Sequence, residues 1–246
     1  MFLTIFFMLF SSVNYLLHYQ FFLLRALSGY LVNVELRYFC IWAIIIQLVV
    51  GGSIWCFAPD VSMLSAVFTA VSLITSTGFL VVPLTDFPGV LPYFLVMVGV
   101  VGGCAGSTSG GIKMIRLLFG VREIIQACHL LRHPRAVLSN PAIDVGFSED
   151  DMAFHTTVLR GFLAGFILVF LCACLWLVGL GLSFEDAFFA TTACLSNTGV
   201  FLSTQGMTFG QLPMTAKLVL CLLMLIGRIE VLAFFMLFSL GSWRGR

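Results

Sequence analysis

The sequence predicts an all-α integral membrane protein: one N-terminal helix, then two copies of a unit made of a long helix, a short helix, a polar loop and a second long helix. Three observations predict it. Of 246 residues, 61% are hydrophobic and only 9% charged, with a mean hydropathy of +1.11, where a soluble domain carries about 25% charged residues. Five long apolar segments compare with the roughly 20 residues that cross a bilayer. A constant shift of 121 residues lays Ala66 on Ala187, Phe68 on Phe189, Thr77 on Thr198 and Gly78 on Gly199.

In chain order, the first segment, about Phe2–Leu24, follows Met1 with no basic region and no small-residue cleavage site. It reads as a retained helix rather than a cleaved leader. The second, about Tyr38–Phe57, is stopped by Ala58-Pro59-Asp60. The run Ser62–Ile74 is too short to span, which suits a half-helix that enters and returns. It leads into Thr75-Ser76-Thr77-Gly78-Phe79. The third long segment begins near Val90 and is interrupted from Gly102 to Gly111. The fourth covers about Ala153–Leu180, and the second short run, Phe184–Leu195, leads into Ser196-Asn197-Thr198-Gly199-Val200. The fifth is about Pro213–Leu240. Unit boundaries are expected at 1–30, 31–135 and 136–246.

Charge placement orients these segments. Lys113, Arg116, Arg122, Arg132 and Arg135 share a side with Arg25, Arg37, Arg244 and Arg246, while the opposite segments carry Asp60, Asp86, Glu185 and Asp186. The positive-inside rule makes the first side cytoplasmic and opens both polar loops outward. Five clean spans would then place Met1 outside and Arg246 inside, which predicts a further segment upstream.

Polar backbone at membrane depth survives only when buried in protein or lining a water-filled path. A cation leaving water needs oxygens in place of its hydration shell, and potassium pores supply rings of carbonyls. Glycine admits the backbone conformations that aim successive carbonyls at one axis. Thr75, Ser76 and Thr77 before Gly78, and Ser196, Asn197 and Thr198 before Gly199, add side chains that can bond nearby backbone or supply further oxygens. The negative ends of the short helices favour a cation beside them. These loops are therefore expected to hold a cation at Thr75, Ser76, Thr77, Ser196, Asn197 and Thr198.

The run from Gly99 to Lys113 ends in lysine but has no preceding strand and no GK[ST], so it is not a phosphate loop. Inside a membrane helix such a run unwinds the helix. Its counterpart in the second unit is Gly227-Arg228-Ile229-Glu230, with Gly106 falling on Gly227. An arginine within an apolar span marks a functional site by default. Glu230, the carbonyls of the glycine-rich run, or both are its expected partners.

Other functions find less support. A net charge of +1 gives no surface for nucleic acid. The eight cysteines lie almost entirely in apolar runs without CxxC spacing, as packing residues do. No HExxH and no convergent Ser/His/Asp set occurs, so an enzyme is not expected. His18, His129, His133 and His155 fall near predicted helix ends, as interfacial residues do.

Taken together, these motifs resemble the Trk/Ktr potassium-transporter family over nearly the whole chain. Gly102–Lys113 is similar to its intramembrane loop, Thr75–Phe79 to its third filter sequence and Cys194–Gly199 to its fourth. Gly227-Arg228-Ile229-Glu230 is similar to its last-repeat arginine motif, and Phe2–Leu24 to the helix closing its second repeat. The resemblance implies M1–pore-helix–filter–M2 repeats of a potassium-channel-like fold in a bacterial-type inner membrane. Its filter would be Thr75, Ser76, Thr77, Gly78 and Phe79 with Cys194, Leu195, Ser196, Asn197, Thr198 and Gly199. Its gate would be Gly102, Gly103, Gly106, Gly110, Gly111 and Lys113 under the control of Arg228. It implies potassium as the transported ion and as the cation held at Thr75, Ser76, Thr77, Ser196, Asn197 and Thr198. It also implies no organic cofactor, a homodimer of complete subunits and a cytosolic nucleotide-binding regulatory subunit.

A family pore has four filter strands and this chain supplies two. Either a missing N-terminal half completes it or a second copy does. A secondary cation-coupled transporter with broken helices is the main rival. It would require ionisable groups in the path, where only Arg228 and Glu230 lie deep in a span. A non-functional fragment is the remaining alternative.

Overall fold

The computed structural model describes residues 1–25, 28–57, 62–87, 89–133, 149–203 and 206–238. Ala58-Pro59-Asp60, Arg135, Arg244, Arg246 and the boundary between 135 and 136 lie outside them. The described residues fold as α-helices joined by loops, with no strand beyond a single bridge between Val101 and Ile112.

The N-terminal apolar segment is not one helix. It forms α1 (Phe2–Ser11) and α2 (Tyr15–Leu24), bent by 99°. Neither proline nor glycine makes the break. Asn14 takes extended backbone and its side chain accepts from the Leu16 N–H (2.8 Å), so it caps a new helix within an apolar run. Arg25 ends α2 in the left-handed conformation (φ 51°). A short α3 (Ser28–Val32) leads into the 24-residue α4 (Val34–Phe57).

The first short helix, α5 (Met63–Ile74), is buried from Phe68 onward. It packs against α4 and α1. After a single 3-10 turn at Leu84–Asp86 the chain forms α6 (Leu91–Val98), leaves helical geometry through the glycine-rich run, and resumes as α7 (Met114–Arg132). The third predicted span is thus two helices. Arg116, Arg122, Glu123 and Arg132 keep α7 from being apolar enough to cross.

Next come the 31-residue α8 (Glu149–Gly179) and the second short helix, α9 (Phe184–Leu195). Ser183 caps α9, accepting from the Asp186 N–H (3.2 Å). The fifth segment also bends, by 103°, at Glu230 between α10 (Met214–Ile229) and α11 (Val231–Phe238). Glu230 sits at φ 75°, so the helical ladder stops there. Lys217, in the first turn of α10, bonds the Gly210 carbonyl (2.7 Å), so a cation accompanies the acidic residues expected on that side.

Among the described residues two helices, α4 and α8, are long and apolar enough to cross a membrane, and up to four spans result if each bent pair counts as one. Only 28% of the apolar stretch of α4 and 22% of that of α8 is buried within the chain. Their outer faces carry Ile44, Leu48 and Trp55, and Leu168, Leu175 and Trp176, more than half exposed. Inside, the described residues form two large apolar cores and two smaller clusters. One large core is built on α4, α5 and α6, the other on α8, α9 and α10. Phe189, Val200 and Leu202 come from the second half of the chain but belong to the first core, so the halves interlock.

Candidate functional site

At the end of α5 the Thr75 hydroxyl donates back to the Val71 carbonyl (2.8 Å). Ser76 then turns left-handed (φ 53°), and the Thr77 N–H reaches the Ser72 carbonyl (2.8 Å). At the end of α9 the Ser196 hydroxyl donates to the Thr192 carbonyl (2.6 Å), Asn197 turns left-handed (φ 57°), and the Gly199 N–H reaches the Ala193 carbonyl (3.1 Å). The hydroxyls of Thr75 and Thr77 lie 2.7 Å apart, and those of Ser196 and Thr198 3.1 Å apart. Gly78 and Gly199 complete the turns at φ 80° and φ 69°. Two polar loops 121 residues apart therefore share one local geometry.

The loops meet. A Cβ at Gly78 would run into the Thr198 carbonyl, whereas one at Gly199 would meet nothing within 4 Å. The carbonyls of Ser76, Thr77, Asn197 and Thr198 accept no hydrogen bond from the described residues. Buried backbone carbonyls are usually paired, and Thr198 is 6% exposed. Most of the hydroxyls are otherwise engaged. Those of Thr75, Ser196 and Thr198 bond backbone, and that of Ser76 is buried without a partner among the described residues.

Several expected site residues stand elsewhere. Cys194 and Leu195 belong to the last turn of α9, because the helix continues through them. The Cys194 carbonyl accepts from the Asn197 N–H (3.2 Å). Phe79 is exposed beyond the turn. The Thr75 carbonyl accepts from the Ser109 hydroxyl (3.0 Å), so it is tied to the glycine-rich run.

That run packs directly beneath the two loops. Its neck is closed by Gly102 N–H to Ile112 O (2.9 Å) and Ile112 N–H to Val100 O (2.8 Å). A Cβ at Gly110 would run into the Ser196 carbonyl, so only glycine lets the backbones lie this close. Gly106 and Gly111 turn left-handed at its tip and its exit. Gly103 lies against Ser12, at the α1–α2 break. From that break the Ser12 carbonyl accepts from the Cys104 N–H (2.9 Å), and the Tyr15 N–H donates to Gly106 O (3.1 Å). Lys113 Nζ donates to the Ser109 carbonyl (2.5 Å).

Arg228 comes to the same run from α10, and its guanidinium donates to the Thr108 carbonyl. Of the two expected partners, the backbone carbonyl is the one found. Glu230 instead pairs with Arg116, whose guanidinium also lies over the Phe162 ring (4.0 Å). Arg228 is not buried. It is exposed along a polar cavity of about 390 Å³ lined by Ser107, Thr108, Lys113, Gly227, Arg228 and Glu230. Asn197 binds α10 just before this point. With its amide oriented to satisfy both groups, it donates to Met224 O (3.1 Å) and accepts from the Arg228 N–H (3.1 Å).

Glu35, at the start of α4, is the residue that sequence reasoning missed. Its Oε1 accepts from the Ala105 N–H (2.7 Å) and the Ile115 N–H (3.1 Å), and the residue is 7% exposed. The rule that singles out Arg228, an ionisable group beside an apolar span, applies to Glu35 equally. His18 also departs from expectation. It is buried, stacked on Phe10, with its ring nitrogens against Tyr30 Oη (2.5 Å) and Phe10 O (2.9 Å). Of the cysteines, Cys104, Cys174 and Cys194 are buried packing residues. The other five are exposed on helix faces.

Apolar outer faces around polar internal loops define a helical membrane protein. Comparison with known proteins is specific. The family model TrkH, described as a cation transport protein, matches residues 1–243. The chain belongs to the TrkH family. It is 31% identical over 97% of its length to a Trk system potassium uptake protein TrkH of Halomonas elongata, and 33% identical over 98% to that of Vibrio parahaemolyticus. It is 30% identical over 97% to the Trk system potassium uptake protein TrkG of Escherichia coli. The crystal structure of the potassium transporter TrkH from Vibrio parahaemolyticus superposes with a TM-score of 0.88 at 32% identity, over 98% of this chain and 52% of that one. The chain spans about half the length of the curated relatives it matches.

Proposed function

We propose that this chain takes part in potassium uptake across the cell inner membrane as a pore-forming subunit of a Trk-type system. It contributes two of four filter strands. The observation that carries the reading is the common geometry of the Thr75–Gly78 and Ser196–Gly199 turns, which meet at Gly78 and leave the carbonyls of Ser76, Thr77, Asn197 and Thr198 without a donor among the described residues. In a pore those carbonyls replace the hydration shell of potassium. Thr75 and Ser196 brace the turns. α5 and α9 act as pore helices, and residues 31–135 and 136–246 as M1–pore-helix–filter–M2 repeats after a helix within 1–30.

Below the filter, Gly102–Gly111 with Lys113 forms the gate, which Arg228 holds through the Thr108 carbonyl. The two remaining filter strands come from an N-terminal half or a second copy. Complete subunits pair as a homodimer, lipid covers the outer faces, and a cytosolic nucleotide-binding subunit regulates the gate. Rubidium uptake in potassium-uptake-deficient cells tests the reading. Cells carrying this chain with two complementing repeats take up rubidium, and Gly199→Ser in the same assembly changes its preference over sodium. Unchanged preference in a functioning assembly would remove these turns from the filter.

A further inference from the structure

The helix α7 begins without a cap of its own. Lys113 stands at its N-cap and makes no side-chain capping bond, although the first N–H groups of a helix have no partner inside it. Glu35, eighty residues earlier in the chain, serves that end instead: its Oε1 accepts from the Ile115 N–H (3.1 Å) in the first turn. A carboxylate at a helix N-terminus is favoured by the helix dipole as well as by the bond. The same oxygen accepts from the Ala105 N–H (2.7 Å), near the tip of the glycine-rich run. One nearly buried carboxylate thus joins the middle of that run to the helix that follows it. The backbone between Ala105 and Ile115 must return on itself for both bonds to exist.

We infer that Glu35 is a positioning residue that holds the glycine-rich run folded back against α7, and so fixes it beneath the paired loops. The inference rests on the reading of that run as a gate only for its functional consequence. The hold itself is structural and is tested separately. Without the carboxylate, Ala105 and Ile115 lose their common acceptor and nothing on α4 replaces it. The run then keeps its bonds to Ser12, Tyr15, Thr75 and Arg228, the Met114 N–H on the Gly103 carbonyl and the packing of Cys104 against α4, but loses its hydrogen-bonded tie to α4. Cys104 stands next to Ala105 at 1% exposure, so its thiol reports whether the tip stays folded in.

The test is maleimide labelling of the full chain in native membranes, assembled with its complementing repeats and read by peptide mass spectrometry, which separates Cys104 from the exposed cysteines. Buried Cys194, in α9, monitors global folding. In Glu35→Ala, Cys104 labels at least about tenfold faster than in the unaltered chain, as expected for loss of bonds to a charged acceptor, while Cys194 stays protected. Protection of both thiols would overturn the inference. If both label because the variant unfolds, Glu35→Asp decides. It keeps the charge but falls short by one methylene, so faster labelling of Cys104 alone supports the hold and unchanged labelling refutes it. Rubidium uptake in the same membranes addresses the gate. Faster Cys104 labelling with unaltered uptake would leave the hold standing and remove the run from gating.

Discussion

Gly78 and Gly199 occupy equivalent positions, but they do not have equivalent surroundings, and this sets the order of their mutational effects. An L residue in the left-handed region costs roughly 1–2 kcal/mol, so Gly199→Ser meets strain alone. Gly78→Ser meets the same strain and drives its Cβ into the Thr198 carbonyl, which can yield only if the second turn moves. Both substitutions are expected to lower the preference for rubidium over sodium, with Gly78→Ser the more severe. Competition uptake at matched membrane content measures this, and an equal or reversed order would mean that the turns do not touch in the working assembly. Asn197 makes a different prediction. Its amide bonds Met224 O and the Arg228 N–H, two groups that an uninterrupted helix pairs with each other. Asn197→Leu keeps the branched shape but removes both bonds, at a cost of about 1–3 kcal/mol, and gives up the tolerance of Asn for the left-handed turn at φ 57°. Thermal unfolding of the purified assembly should shift down by several degrees, and an unchanged Tm would show that the amide does not bridge the loop to α10.

Among the elements, the breaks carry the function proposed for this chain, and they differ in how legible they are. The short helices α5 and α9 were readable to within a residue, because each is an apolar run bounded by polar residues and glycine. The glycine-rich interruption was equally plain. The breaks at Ser12–Asn14 and at Glu230 were not, since each is a short polar interruption between long apolar stretches and no proline stands at the bend. Asn14 breaks the helix by capping the next one, and Glu230 by leaving helical geometry with its carboxylate on Arg116. Bonds such as Glu35 to Ala105 join residues seventy apart, and no local pattern records them. The Arg116–Glu230 pair is half-buried, with the Arg116 side chain 17% and the Glu230 side chain 40% exposed. If the glycine-rich run is the gate, Arg228→Ala, which frees the Thr108 carbonyl, is expected to raise ungated rubidium flux without changing ion preference. Flux that stays gated while selectivity collapses would place Arg228 with the filter instead.

At the scale of the whole molecule, the outer surface argues that the chain works in company. Most of α4 and α8 faces away from the chain's own cores, and α1 presents Phe2, Leu3, Phe6 and Phe7 more than half exposed. Bilayer lipid can satisfy apolar faces of this kind. It cannot satisfy the polar cavity at Arg228, nor carbonyls at the meeting point of two turns, because exposed polar backbone is not stable in hydrocarbon. A closed ring of four turns would shield both, and two turns leave that ring open on one side. The chain expressed alone should therefore insert in the membrane yet give no rubidium uptake above background. Co-expression of the two complementing repeats should restore uptake, and Gly199→Ser in this chain should then alter its selectivity. Uptake by the chain alone, lost in Gly78→Ser, would show instead that two copies close the ring. The meeting of Gly78 with Thr198 would then occur twice around one axis.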